Sequence, residues 1–396
     1  MKKHACSLAV FVLAVVFLAA AALFDWDTIN SYTSLNTSTK HYVRGVVTSV
    51  NAEDLEKDSA DERLYLGSQE LAVRILEGDL KGEEVVFTNY LTRIHSIYVT
   101  EGQKVIVCAD TPENAEAYYT LYNYDRTFPL ILLIAVFALA MLLVGRIKGL
   151  RALLGVVYSL LVVTLFLVQA IYHGFSPVGM TLLAVLVIAG VSLLLLNGFS
   201  RRTAAGLLSA LAGVAMTAVL FLIFSRLLHL SGYNMDEAET LLSASYSTGL
   251  SIRWLLMAGV LISALGAVMD VAVSLTASLE ELVLVHPDLE RRRMVTSGFH
   301  IGKDMIGTMS NTLILAFAGT SLNTMLCLLA YGYQTSQLLS SDFLAIELSQ
   351  GLCATLGVVL TVPVTTAVCA VVFSEGSFRG MEKPVSGNHR RHQSSH

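Results

Sequence analysis

One carboxylate stands inside the long apolar runs that fill residues 128–276: Asp270, in Gly266-Ala-Val-Met-Asp270-Val-Ala-Val-Ser274. A charged side chain in hydrocarbon costs about 3 kcal/mol or more, so such a group is rare and is expected to face a protein interior or a polar cavity. Gly266, Asp270 and Ser274 recur every four residues and share one stripe of a helix. Gly266 would let a second backbone approach that stripe. The chemistry available to Asp270 is binding of a proton, a coupling cation or a cationic solute. The competing reading is a hydrogen bond between helices that only holds a bundle together.

Two further runs carry polar atoms at membrane depth. In Gly302-Lys-Asp304-Met-Ile-Gly307-Thr308-Met-Ser310-Asn311-Thr312, Gly307 and Asn311 share a face. Asp304 lies at the inner boundary, where a carboxylate also complements a helix N-terminus. Asn311 offers a neutral oxygen, or simply packs helix to helix. In Thr361-Val-Pro363-Val-Thr365-Thr366 the proline frees a backbone carbonyl that neighbouring threonines can satisfy or present. Broken helices of this kind line transporter binding sites, although a plain proline kink is the commoner case. Glu347 marks the outer end of the same run. Asp270, Asn311, Ser274, Thr361 and Thr365 are therefore the candidate ligands for a solute or ion, with Gly266, Gly307 and Pro363 as packing or hinge positions.

Other chemistries find less support. There is no GxxxxGK[ST] for ATP, no GxSxG and no HExxH. An aspartyl dyad needs two carboxylates sharing a proton, and the sole pair, Asp270 and Asp304, differs in depth. No catalytic residue and no cofactor is expected. The five cysteines, Cys6, Cys108, Cys327, Cys353 and Cys369, form no CxxC pair. Only Cys108 lies in the polar segment, so that segment holds no internal disulfide.

The elements that must position these residues follow from composition. The 396 residues are 54% hydrophobic and 14% charged, where a soluble domain carries about 25% charge. About 20 apolar residues span the hydrocarbon. Eight segments qualify, at 7–24, 128–145, 152–171, 178–197, 204–225, 254–276, 306–330 and 345–373. The first follows Lys2 and Lys3 and is long for the apolar part of a signal peptide, which favours a retained anchor. With the N-terminus inside, 15 basic residues fall on cytoplasmic ends, and the outer connections after residue 127 carry only Arg226 and Arg253. Both termini are then cytoplasmic. Asp270, about 24 Å along its helix from Trp254, falls in the cytoplasmic half.

Residues 25–127 differ in kind. They hold 18 acidic and 9 basic residues, against 13 and 17 elsewhere. An acidic outer segment above a basic membrane part argues against a nucleic-acid partner. Short Val-, Ile- and Tyr-rich runs at 41–50, 70–75, 84–88 and 104–108, with Gly78, Gly82 and Gly102 between them, predict a small antiparallel OB-like barrel. Its simplest role is a folded spacer or lid. The expected organisation is an anchor (1–24), an extracytoplasmic β domain with linkers (25–127), a seven-helix membrane domain (128–375) and a polar cytoplasmic tail (376–396). The connection Glu280–Lys303 is expected to hold a short surface helix, Leu289–Ser297, stopped by Gly298.

The runs GAVMDVAVSLTAS (266–278), HPDLERRRMVTSGFHIGKDMIGTMSNTLILAFAG (286–319) and the span from Glu347 to Thr365 resemble YibE/F family membrane proteins. So do YVRGVVTSV and LEGDLKGEEVVFTN of the outer segment. Leu322-Asn323 after Gly319 departs from the family pattern, which has a proline there. The resemblance implies a multipass protein of the bacterial inner membrane, often encoded beside a paralogous membrane subunit, and described in general terms as a permease without a named substrate. The reading that unites residues and resemblance is a transporter subunit for a small solute or ion, with the bilayer and a second membrane subunit or copy as partners. The alternatives are a non-transporting scaffold or receptor whose outer domain binds a partner and, with less support, an intramembrane enzyme.

Overall fold

The computed structural model describes residues 14–23, 39–59, 61–112, 116–232, 251–286 and 289–373. The chain divides into two compact units. One holds the strands and ends at Val144; the other comprises the N-terminal helix and everything from Gly145 onward. The expected tail (376–396) and most of the expected anchor lie outside the described residues.

The strand unit is an antiparallel sheet of β1 (Lys40–Lys57), β2 (Tyr65–Ile75), β3 (Glu84–Leu91), β4 (Lys104–Asp110) and β5 (Tyr118–Tyr124), in the order β3-β2-β1-β4-β5. The long β1 pairs through its first half with β4 and through the rest with β2. Irregularities at Val47/Ser49 and Val50/Ala52 give it the bend that curls the sheet. The outer strands β3 and β5 approach one another without ladder hydrogen bonds, leaving a half-barrel rather than a closed barrel. Alternation explains the core: Val85, Phe87 and Leu91 of β3 and Val105 and Val107 of β4 point inward with Val47, Leu71 and Val73. Gly78, Gly82 and Gly102 all take positive φ at corners, as glycine does without steric cost. Four of the strands contain the expected Val-, Ile- and Tyr-rich runs; the fifth is the tyrosine-rich YYTLYNY.

Two polar side chains complete the half-barrel. Gln69 is fully buried; its Nε2 donates to Val99 O (2.9 Å) and its Oε1 accepts from Val99 N (3.1 Å). Asn89 Nδ2 donates to Ile97 O (2.8 Å). The segment around Ile97–Val99 is not a strand, so these amides satisfy backbone groups that no ladder reaches. At the rim, Arg93 grips Asp58 with two hydrogen bonds (2.6 and 2.7 Å).

The helices are α1 (Ala14–Leu23), α2 (Thr127–Leu161), a π-helical turn (Val162–Leu167), α3 (Val168–Tyr172), α4 (Pro177–Asn197), α5 (Arg201–Leu227), α6 (Ile252–Val285), α7 (Arg291–Ala330), α8 (Thr335–Leu339) and α9 (Asp342–Val372). Ser176 and Ser200 cap α4 and α5 by accepting from Gly179 N and Thr203 N. Among the described residues six elements are long and apolar enough to cross a membrane, where eight spans were expected. The spans expected at 128–145 and 152–171 both lie in the stretch Thr127–Tyr172, which divides into two helices at the non-helical backbone of Arg146 (φ 48°, ψ −128°) and is counted once among the six. The first expected span is represented by α1 alone. The chain is thus a helical, membrane-type protein with an N-terminal antiparallel β unit.

A second correction concerns Gly298. It does not stop a short helix: α7 runs unbroken from Arg291 to Ala330. Its buried Met294, Gly298 and Gly302 recur every four residues and form the stripe that meets α9. A methyl group at Gly302 would collide with Val362, and one at Gly298 would lie 2.7 Å from Thr366 Cγ2. These glycines serve close approach, which the helix tolerates because packing offsets their cost of about 1 kcal/mol each. On its other side α9 packs against α5 and α6, where an added Cβ at Gly213 would collide with Thr361 Oγ1.

Candidate functional site

α6 is the most buried of the long helices, and its inward face is aliphatic: Leu261, Ala264, Leu265, Val268, Val271, Ala272 and Leu275. That packing leaves no room for a carboxylate. Gly266, Asp270 and Ser274 lie together on the opposite face and are exposed. Among the described residues Asp270 has no hydrogen bond and no ion pair, and nothing lies within 4 Å of a Cβ added at Gly266. The expectation that Asp270 faces the interior of its own bundle is therefore corrected: within this chain its stripe faces outward. The stripe extends beyond the expected Gly266–Ser274, through exposed Ser263 and Gly259. Small residues at 259, 263, 266, 270 and 274 keep helical spacing, a signal present in the sequence but traced only from Gly266 onward.

α7 repeats the pattern. Asp304, Gly307 and Asn311 are exposed, and the space beside Gly307 is open. Thr308 and Thr312 turn their hydroxyls to carbonyls of their own helix, Met305 O (3.1 Å) and Thr308 O (3.0 Å). Asn311 has no hydrogen bond to another described residue, so its amide remains available.

The α9 residues lie elsewhere. Thr361 and Thr365 are fully buried. Thr361 Oγ1 donates to Gly357 O (2.7 Å) and presses on Gly213. Thr365 Oγ1 is buried with no partner among the described residues. α9 continues through Pro363 without a break, so the expected proline-broken span is absent. Thr366 Oγ1 donates to Val362 O (2.8 Å). These threonines sit in helix contacts, and no hydrogen bond joins them to Asp270 or Asn311. Glu347 accepts from Ser321 Oγ (2.6 Å) and links α9 to α7 beside a small apolar cavity. The predicted residues thus divide in two: Asp270, Ser274 and Asn311 on outward faces, Thr361 and Thr365 inside the packing. Among the described residues no cluster of three or more His, Cys, Asp or Glu could hold a metal.

A family model described as YibE/F-like protein matches residues 133–375. No curated protein and no solved structure matches the chain.

Proposed function

This chain belongs to the YibE/F-like family, and we propose that it is a subunit of a membrane transport assembly whose polar path runs along the α6 stripe. The observation that carries this reading is the exposed Asp270 between Gly266 and Ser274, without a partner among the described residues. In hydrocarbon such a carboxylate must be covered by a polar surface or be neutralised. A second membrane subunit, a paralogue or another copy, covers it and encloses a site for a cation, a proton or a small cationic solute. Asn311 on α7 supplies a neutral oxygen from the second open face. The distribution of basic residues supports a bacterial inner-membrane orientation with cytoplasmic termini and an extracytoplasmic β domain.

Asp270→Asn keeps volume and hydrogen bonding while removing the charge. It should abolish flux or growth support and leave insertion intact. In a background without native cysteines, Ser274→Cys should form an intermolecular disulfide in membranes where the covering subunit is another copy, and a cysteine-directed cross-link to a second polypeptide where it is a paralogue. Wild-type function of Asp270→Asn together with a monomeric Ser274→Cys chain would remove the proposal.

A second reading has its own observation. Tyr42, Tyr118 and Tyr122 are 46%, 62% and 55% exposed on the β unit, with Tyr42 and Tyr122 in edge contact at 4.9 Å. Such an aromatic patch suits partner binding, as a scaffold or receptor would use it. Loss of function in Tyr42→Ser/Tyr122→Ser, with Asp270→Asn silent, would favour it.

A further inference from the structure

A cavity of about 460 Å³ lies where α5 ends and α6 begins, lined by Ser225, Arg226, His229, Ser231, Ser251 and Arg253. The two arginines are the two basic residues expected on the outer connections after residue 127, and the fold brings them to one cavity. No described lining residue is acidic, and neither arginine forms an ion pair among the described residues. Arg253 donates to Ser225 Oγ (3.4 Å), which holds its guanidinium beside the end of α5.

The local backbone orients the remaining groups. α5 closes with Leu230 N donating to Ser225 O (2.9 Å) and His229 N to Arg226 O (3.3 Å), a left-handed terminus that occupies the last carbonyls. His229 sits at the left-handed position (φ 53°) and lines the cavity. The negative end of α5 is therefore internally satisfied. α6 begins at Ile252 with Ser251 as its N-cap, and that serine makes no capping bond, so its hydroxyl and the positive end of a 34-residue helix remain beside the arginines. Two guanidinium forks, the Ser251 hydroxyl and a helix N-terminus are donors of the kind that bind phosphate oxygens.

We propose that this cavity is a site for a phosphate monoester or diester at the membrane boundary. Both flanking helices are long apolar elements that end here, so the phosphate can belong to an anionic lipid headgroup or to a soluble anion. The depression is open on one side, and its volume exceeds what bare phosphate fills. The site stands apart from the Asp270 stripe and does not depend on its role.

The test uses the full-length protein in lipid nanodiscs and reads the melting temperature. In phosphatidylcholine discs inorganic phosphate is titrated against chloride at equal ionic strength; in a second arm phosphatidylglycerol replaces part of the phosphatidylcholine. Binding to the folded state alone raises stability in proportion to occupancy. A saturable rise in the first arm identifies a soluble anion, and a rise only in the second identifies the lipid. Arg226→Gln/Arg253→Gln should weaken the apparent affinity about a hundredfold, the loss of two charge-assisted contacts. Arg226→Lys/Arg253→Lys, which keeps charge but loses the fork, should fall between and decides the matter if the glutamine pair does not fold. No saturable rise in either arm, or an unchanged rise in the lysine and glutamine pairs, overturns the proposal.

Discussion

In the strand unit, Gln69 and Asn89 are buried and each spends its amide on a backbone group of the Ile97–Val99 segment, while Asp58 is gripped by Arg93. In the helical unit, Asp270 and Asn311 stand on outward faces with no such partner among the described residues. The first unit meets its polar requirements from within. The second leaves polar side chains on those faces without a partner among the described residues. Unsatisfied polar groups cost most where water is absent, so the contrast between the units is sharpest on α6 and α7.

The sharpest way to break this contrast is to remove the β unit from its chain. Residues 38–127 should fold alone into a reversible, strand-rich domain that is indifferent to reductant, because Cys108 is its only thiol. A fragment ending at 112 lacks β5, exposes the free edge of β4 and loses Leu121 from the core. It should be unfolded by circular dichroism and amide exchange. If the shorter fragment folds as well as the longer one, the fifth strand is dispensable and the half-barrel account fails.

Gln69→Leu comes next in size. It fills similar volume but leaves Val99 N–H and C=O without partners, at about 1–3 kcal/mol for each buried group. The urea midpoint of the 38–127 domain should fall by an amount equivalent to about 2–4 kcal/mol, with Asn89→Leu nearer half of that. A neutral Gln69→Leu would show that water reaches Val99 and that the barrel gap is open.

Glycines on α7 carry the comparison into the membrane unit. Gly302→Ala places a methyl group against Val362 and should cost about 1–3 kcal/mol by overpacking, read as a lowered melting temperature in detergent. Gly307→Ala and Gly266→Ala meet open space in the single chain and should be neutral or stabilising by up to about 1 kcal/mol there. In membranes Gly266→Leu should weaken the Ser274→Cys cross-link if a neighbour sits on that stripe. Equal effects of Gly302→Ala and Gly307→Ala in detergent would mean that the α7 faces are not distinct.

Much of this architecture was legible in the sequence because hydropathy and period are local properties. The apolar runs gave the long helices, and alternation around Val85–Leu91 and Val105–Val107 gave strands with glycine corners. What the sequence did not yield depends on partners distant in the chain. Gly298 reads as a helix stop until Thr366 is found against it. Thr361 reads as a ligand until Gly213 is found pressing on it. Pro363 reads as a break, yet α9 passes through it. Asp270 was visible as an isolated carboxylate, but periodicity places Gly266, Asp270 and Ser274 on one face without saying whether that face looks into the chain or away from it. Arg226 and Arg253 were visible only as exceptions to a charge bias, since their convergence requires the ends of α5 and α6 to meet.

The smallest expected effect concerns the join between the β unit and α2. Asp125 accepts from Thr127 N (2.9 Å), and Arg44 reaches both Asp125 (3.8 Å) and Thr127 Oγ1 (3.5 Å). Hydrogen bonding from Thr127, side chain first and backbone second, holds the Asp125 carboxyl below the usual aspartate range, with the Arg44 and Lys104 charges adding to it. A carboxyl depressed in the folded state contributes stability that is present above its unfolded value of about 4 and is lost as pH falls through the folded value. The 38–127 domain should therefore lose melting temperature below about pH 4, and Asp125→Asn should remove part of that slope while lowering stability slightly at pH 7. Asp61, likewise depressed by its hydrogen bonds with Arg63, is a local pair on the surface, where screening leaves little net gain. Asp61→Asn should change the acid slope less, and high salt should erase the difference. If Asp61→Asn flattens the slope while Asp125→Asn leaves it intact, the contacts of Asp125 with Thr127 and Arg44 contribute nothing to the stability of the β unit.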